Sequence, residues 1–182
     1  QAVWFGNTGN MQSLIREAEA LPQRISGFKV DLLVLTREFP GINEAFERFN
    51  KQHGTTLTLR FREWSLQRNW TELHDCDLAI IPVDQRERFY LAKGPNRLIE
   101  ALWAGRFAVV NSIPSYDEFS PWAWVGDIAD GIGWALEHPA EITQRIAAAQ
   151  DHIRRLYSPA AIALNWERTL LRESARRKSA AS

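Results

Sequence analysis

The sequence is poor in cysteine, in long apolar runs and in net charge. It contains a single cysteine, Cys76, which cannot form a disulfide within the chain. It has no apolar run of about 18 residues, the length that a membrane-spanning helix needs. Its 22 basic residues are balanced by 22 acidic ones, so no net field attracts nucleic acid. We therefore expect a cytoplasmic protein without a nucleic-acid partner.

The sequence also lacks the motifs of several enzyme classes. Its four histidines are scattered and show no zinc-ligand spacing. No Gly-x-Ser-x-Gly elbow indicates a hydrolase, and no phosphate-binding loop with the Gly-Lys-Ser/Thr ending indicates an NTPase. We expect neither a metal ion nor a resident cofactor.

What is present is the composition of one globular domain. The 182 residues are 45% apolar and 24% charged, which fits a single folded unit spanning 1–182. The chain enters a strand-like run directly after Gln1, by Val3. We therefore expect a further domain upstream of this one.

Short apolar runs alternate with helical patterns along the chain. Strands are expected at 2–5, 28–36, 55–64, 77–83 and 107–110. Helices are expected at 14–21, 43–52, 66–74, 96–104, 143–157 and about 158–178, with 179–182 frayed.

This alternation predicts an α/β fold. We expect a Rossmann-like, doubly wound, mostly parallel sheet of about five strands, with helices on both faces and extra helices at the C-terminus. In such sheets ligands bind beyond the carboxyl ends of the strands, where the strand order reverses. The candidate site residues follow strands, as this rule requires.

The first strand passes through a glycine-containing turn into a helix. Gly6, Gly9 and Asn10 lie in this turn. Glycines let a backbone approach a ligand closely, and a helix start carries about half a positive charge. The turn is therefore a candidate cradle for a diphosphate. It lacks one glycine of the dinucleotide fingerprint, and a tight turn without a ligand is the alternative.

A second candidate is the stretch AKGPNRLIEALWAGRFAVV at 92–110. Proline fits the first turn of a helix, so a helix is expected to begin near Asn96. Lys93 and Arg97 beside that helix start suit a negatively charged diphosphate. Glu100 suits the two hydroxyls of a ribose. The alternative is an exposed Arg–Glu pair on an amphipathic helix.

The pattern KxxNRLxEALxxGxxxVV, from Lys93 to Val110, resembles the donor-site segment of GT-B glycosyltransferases of the group 1 type. The segment LHDCDLAIIP at 73–82 is similar to the strand before the family's donor loop. The resemblance extends over roughly residues 2–140. It implies the C-terminal, nucleotide-sugar-binding domain of a hexosyltransferase-like enzyme, in which Glu100 binds the ribose and Lys93, with Arg97, contacts the diphosphate. Lys93 and Glu100 would thus serve catalysis.

One position departs from the family pattern. Many retaining members have a second glutamate eight positions before the ribose glutamate, where it contacts the donor sugar. Ala92 stands there in this sequence. The departure puts the sugar contacts and the catalytic competence in question.

Aromatic residues provide two further candidates. Trp64, at the end of the third strand, is expected to stack on a base that Ser65 hydrogen-bonds. In the alternative, Ser65 caps the next helix and Trp64 packs in the core. The segment 112–124 (SIPSYDEFSPWAW) suits either an interface with another domain or a small core.

The leading hypothesis is a glycosyltransferase donor-binding domain whose acceptor site lies on the missing N-terminal domain, so that the isolated chain binds nucleotide without transferring sugar. A non-catalytic nucleotide-sensing or protein-interaction module is the rival that Ala92 permits. A flavodoxin-like domain is disfavoured because no serine- or threonine-rich phosphate loop is present. The basic stretch at 172–182 is a candidate for peripheral contact with an anionic membrane.

Overall fold

The computed structural model describes residues 1–86 and 88–180. Within them six parallel strands form the centre of the molecule: β1 (Ala2–Phe5), β2 (Val30–Thr36), β3 (Leu57–Glu63), β4 (Leu78–Ile81), β5 (Phe107–Val110) and β6 (Trp124–Val125). Their order in the sheet is β3-β2-β1-β4-β5-β6.

Helices connect and cover these strands. They are α1 (Met11–Ala20), α2 (Ile42–His53), α3 (Leu66–Asp75), α4 (Arg88–Leu91), α5 (Asn96–Trp103), α6 (Ile128–Glu137), α7 (Pro139–Leu156) and α8 (Pro159–Ala180). Short 3-10 turns occupy Thr8–Asn10, Leu21–Gln23 and Pro114–Phe119. None of the helices within residues 1–86 and 88–180 combines the length and hydropathy needed to cross a bilayer.

The central strands are apolar throughout because helices cover both faces of the sheet. Every residue of β1, β4 and β5 is buried. Along β1, Trp4 points into one of the two core clusters, while Val3 and Phe5 point into the other. Strand β3 lies at the edge of the sheet, so its burial instead fades toward Glu63.

The predicted fold class is confirmed, with one correction to the strand count. The sheet has six strands rather than about five, because Trp124 and Val125 pair with β5. A two-residue strand is too short to show any periodicity. The last helix continues two residues beyond the predicted 178, through Ala180, and residues 181–182 of the predicted frayed tail lie outside the described residues.

The aromatic segment after β5 forms a core rather than an exposed surface. Tyr116 and Phe119 are fully buried, and Trp122 packs against the same cluster. Trp124 is half-buried against the opposite cluster. The core interpretation of this segment is therefore the one that the structure supports.

The strand order places a crevice at the centre of the sheet. Strand β1 lies between β2 and β4, and the chain runs outward on both sides from there. The connections that follow β1 and β4 therefore diverge at the carboxyl ends of these two strands. Open α/β sheets bind ligands at this point.

Candidate functional site

A cleft of about 1030 Å³ opens beyond the carboxyl ends of the central strands. Its walls come from the turn after β1, the ends of β2 and β3, and the start of α5. Every predicted site residue except Ser65 lines it: Gly6, Gly9, Asn10, Trp64, Lys93, Asn96, Arg97 and Glu100. A smaller cavity of about 550 Å³ lies at the opposite end of the sheet and is lined mostly by apolar side chains, away from these residues.

The turn after β1 is held by its own hydrogen bonds. Asn7 Oδ1 accepts from Gly9 N at 2.9 Å, and Asn7 O accepts from Asn10 N at 2.9 Å. Gly6 N donates to Leu35 O at 3.1 Å. The N–H groups of Gly6, Gly9 and Asn10 are thus each engaged in a hydrogen bond within the chain.

Gly6 makes room for the guanidinium of Arg97. A Cβ on Gly6 would lie 3.2 Å from Arg97 Nη1 and 3.2 Å from the ring of Trp4. Such contacts are tighter than normal van der Waals packing, so a larger side chain here would displace the arginine. The glycine at this position is explained by the close approach of Arg97 from α5.

Arg97 is fixed by three neighbours. It donates to Phe5 O at 3.4 Å, its Cζ lies 6.0 Å from the Trp4 ring centroid, and its charge opposes the rise that burial causes in the pKa of Tyr116. Tyr116 is only 1% exposed and lines the same cleft. A guanidinium held on several sides is oriented before any ligand arrives, which is the arrangement that anion recognition favours.

Lys93 is the second cation of the cleft. Its ammonium donates to Asn10 Oδ1 and lies 5.8 Å from the ring centroid of Phe89. The main-chain carbonyl of Lys93 accepts from Ser115 Oγ at 2.6 Å, which anchors the loop before α5. Burial, together with the nearby charge of Arg97, lowers the pKa of Lys93 from 10.5 to about 8. The side chain is therefore still mostly protonated near neutral pH.

Glu100 lies one turn after Arg97 on α5 and supplies a half-buried carboxylate. Burial raises the pKa of Glu100, while the charge of Arg97 and the nearby amide of Asn69 act in the opposite direction. Asn96 is exposed at the start of the same helix, whose N-terminus has no side-chain cap. The start of α5 thus combines two cations, one carboxylate and uncapped backbone.

Trp64 and Ser65 are neighbours in sequence but lie in different surroundings. The Trp64 side chain is 46% exposed and lines the cleft, so it does not pack in the core. Ser65 lies outside the cleft lining, and its Oγ caps α3 by accepting from Arg68 N at 3.2 Å. The capping alternative therefore describes Ser65.

Position 92 contributes no carboxylate to the cleft. Ala92 is exposed and is not among the residues that line it. Of the acidic residues described, Glu63 and Glu100 line the cleft, alongside the cations Arg37, Lys93 and Arg97. Across residues 1–86 and 88–180, no group of three or more His, Cys, Asp or Glu side chains is arranged to hold a metal ion.

Sequence reasoning missed two neighbours of the site, Asn69 beside Glu100 and Tyr116 beside Arg97. Asn69 is buried on α3 together with Glu72 and Leu73, so no apolar stripe marked its position. Tyr116 was grouped with the neighbouring aromatics, and nothing in its spacing indicated a contact with Arg97. Both contacts join elements that are distant in sequence.

No family model matches the chain, and no curated protein sequence matches it. Among solved structures, the chain is similar to the Anabaena protein Alr3699/HepE in complex with UDP and glucose, with a TM-score of 0.71 and 14% identity over 93% of this chain and 47% of that one. It is similar to TarM, with a TM-score of 0.62 and 14% identity over 91% of this chain and 34% of that one. The catalytic domain of a cholesterol-α-glucosyltransferase from Helicobacter pylori gives a TM-score of 0.53 and 20% identity over 83% of this chain and 95% of that one.

The chain thus spans less than half the length of TarM and of HepE. At these low identities the likeness shows the fold. That fold is of the GT-B type that the sequence resemblance implied.

Proposed function

We propose that this chain is the donor-binding domain of a glycosyltransferase that transfers a sugar from a nucleoside-diphosphate sugar to an acceptor. The observation that carries the proposal is the joint presence of Lys93, Arg97, Glu100 and Trp64 in one cleft at the centre of the sheet. Together these side chains complement the diphosphate, the ribose and the base of such a donor.

The assignment follows from the chemistry of each group. Lys93 and Arg97 are the cations for the diphosphate, because charge-assisted hydrogen bonds to phosphate oxygens are strong and Arg97 is already oriented. Glu100 is an acceptor for the two ribose hydroxyls. Trp64 presents an exposed ring on which a base can stack.

The same groups have a catalytic role in this proposal. When the bond between the sugar and the diphosphate breaks, negative charge develops on the leaving phosphate oxygen. Lys93 and Arg97 stabilise that charge in a partly buried site, where electrostatic interactions are stronger than in water. The acceptor hydroxyl attacks the sugar carbon and gives up its proton to a base that we assign, with the acceptor site, to a second domain. The isolated chain is then expected to bind donor without transferring sugar.

A non-catalytic module is the second candidate. The observation that favours it is the alanine at position 92, which leaves the cleft without the sugar-contacting glutamate of many related enzymes. The two candidates differ in the effect of Glu100→Lys on the full-length protein. A transferase loses sugar transfer in this variant, and a protein-interaction module keeps its function.

Titration calorimetry of the chain with UDP, GDP, ADP and CMP tests donor binding. We expect one nucleoside diphosphate to bind in preference and Glu100→Ala to weaken it by about 10- to 100-fold, the value of hydrogen bonds to a charged group. Glu137→Ala, which removes an exposed carboxylate on α6, is the matched control and should bind normally. Binding of no nucleotide, or equal binding by Glu100→Ala, would contradict the proposal.

Peripheral membrane contact through the C-terminal basic stretch is a separate proposal. Much of that stretch lies on α8, whose Trp166, Leu170 and Leu171 are exposed. An apolar and basic helix is suited to an anionic lipid surface. Co-sedimentation with vesicles that contain or lack anionic lipid, at low and high salt, measures this contact. The proposed cytoplasmic location is compatible with it.

A further inference from the structure

The 3-10 turn Pro114–Phe119, which follows β5, joins the candidate site to the C-terminal helices. Near its start, Ser115 bonds the loop that carries Lys93. At its end, side chains contact α7 and the residue that follows this helix. The turn supplies none of the proposed donor ligands, so its bonds to both sides require an explanation.

Ser115 holds the main chain of Lys93. Its hydroxyl donates to the Lys93 carbonyl oxygen at 2.6 Å, and the bond is partly buried. Lys93 and Gly94 lie outside helices and strands, so their place depends on bonds to other elements. The ammonium of Lys93 donates to Asn10 Oδ1 in the turn after β1. The backbone and the tip of this lysine are therefore held by different elements.

The other end of the turn is held by α7. One carboxylate oxygen of Glu118 accepts from Tyr157 Oη at 2.8 Å, and the other lies 2.7 Å from His152 Nε2. Phe119 is fully buried, and its ring centroid lies 5.7 Å from that of Tyr157 and 6.0 Å from that of His152. The turn is thus fixed in place before it contacts the lysine loop.

We propose that Ser115 and Glu118 are positioning residues that hold Lys93 where its ammonium meets the diphosphate of the donor. The proposal rests on the proposed role of Lys93 as a diphosphate ligand. Neither Ser115 nor Glu118 lines the cleft, so both act through the lysine. A long side chain on an unfixed loop loses conformational freedom when it binds. A loop that is fixed in advance reduces this loss and makes binding tighter.

A double-mutant cycle with Lys93 separates positioning from a general loss of structure. Calorimetry measures the affinities of wild type, Ser115→Ala, Lys93→Ala and the double variant for whichever of UDP, GDP and ADP binds wild type most tightly. Lys93→Ala should lose about 10- to 100-fold and Ser115→Ala about 2- to 10-fold, as expected for a charged and a neutral hydrogen bond. In the Lys93→Ala background, Ser115→Ala should have no further effect. That chain keeps the carbonyl group but has no ammonium to position.

Three further variants complete the test. Ser115→Thr keeps the hydroxyl and should bind like wild type. Ser112→Ala removes a hydroxyl of the same segment that contacts Asp117 Oδ1 at 3.5 Å instead of the lysine loop, and it should also bind normally. Glu118→Ala releases the turn from α7. It should weaken binding in the same direction as Ser115→Ala, and again only when Lys93 is present.

The outcomes distinguish this inference from the proposed function. If wild type binds no nucleotide, or if Lys93→Ala binds as tightly as wild type, both proposals fall. If Lys93→Ala loses affinity while Ser115→Ala and Glu118→Ala keep it, only the positioning role is overturned. Equal losses with and without Lys93 overturn it too, because they show an effect that does not act through the lysine. Losses confined to chains that contain Lys93, with wild-type affinity in Ser115→Thr, support it.

Discussion

Because of Lys93, the affinity of the proposed donor site for a diphosphate should decrease at alkaline pH. Its pKa is lowered to about 8, first by burial and then by the charge of Arg97. A bound diphosphate favours the charged form and raises that pKa, so binding takes up protons near pH 8. The affinity is therefore constant below this pH and falls above it.

The size of the effect follows from the pKa. The protonated fraction of Lys93 is roughly 90% at pH 7 and roughly 10% at pH 9 for a pKa near 8. If the diphosphate binds the protonated form alone, the affinity falls roughly tenfold over this interval, which is about 1.4 kcal/mol. Lys93→Arg keeps the positive charge, because a guanidinium does not deprotonate in this range. Its affinity should hardly change from pH 7 to 9.

Calorimetry in two buffers of different ionisation enthalpy measures both quantities. It gives the dissociation constant at each pH and the number of protons taken up on binding, which should be about one half near pH 8 for wild type. Equal dissociation constants at pH 7 and pH 9, without proton uptake, would refute the reasoning. A slope in Lys93→Arg equal to that of wild type would refute it as well.

Two other predictions concern the sheet edge and the base. A Cβ on Gly131 would lie 2.7 Å from Trp124 Cγ, whereas nothing lies within 4 Å of a Cβ on Gly133 in the same helix. Gly131→Ala should therefore lower the free energy of unfolding by ~1–3 kcal/mol. Gly133→Ala should raise it by ~0.5–1 kcal/mol. Equal urea midpoints for the two variants would contradict this. Trp64→Ala should weaken nucleotide binding by ~1–3 kcal/mol, with Trp70→Ala, an exposed tryptophan outside the cleft, as the control that binds normally.

The elements that sequence predicts well are those whose signal is local. Strand β5 was predicted with its observed bounds, because four buried apolar residues lie between the polar residues Arg106 and Asn111. The start of α5 was predicted at Asn96, because proline precedes it. Strand β6 was not predicted, since it exists only through its pairing with β5.

The candidate site divides in the same way. Lys93, Arg97 and Glu100 were predicted as candidates because they lie in one segment, with Arg97 and Glu100 on one helix. Their neighbours Asn69 and Tyr116 come from other elements that the fold brings close, and no spacing encodes them. The expected backbone cradle in the first turn depended on free N–H groups, and the local hydrogen bonds of Asn7 engage two of these.

The position of β1 in the middle of the sheet has a consequence for how the chain folds. Ala2 pairs with Leu32 and with Leu78, so β1 acquires its second neighbour only after β4 has been synthesised. Closing such a long loop is entropically costly and slow. The bond from Lys93 to Asn10 crosses the same junction. A nucleotide would therefore find its site only on chains in which both halves of the sheet have joined. At a free concentration of about 100 times its dissociation constant, the nucleotide would stabilise those chains by ~2.7 kcal/mol.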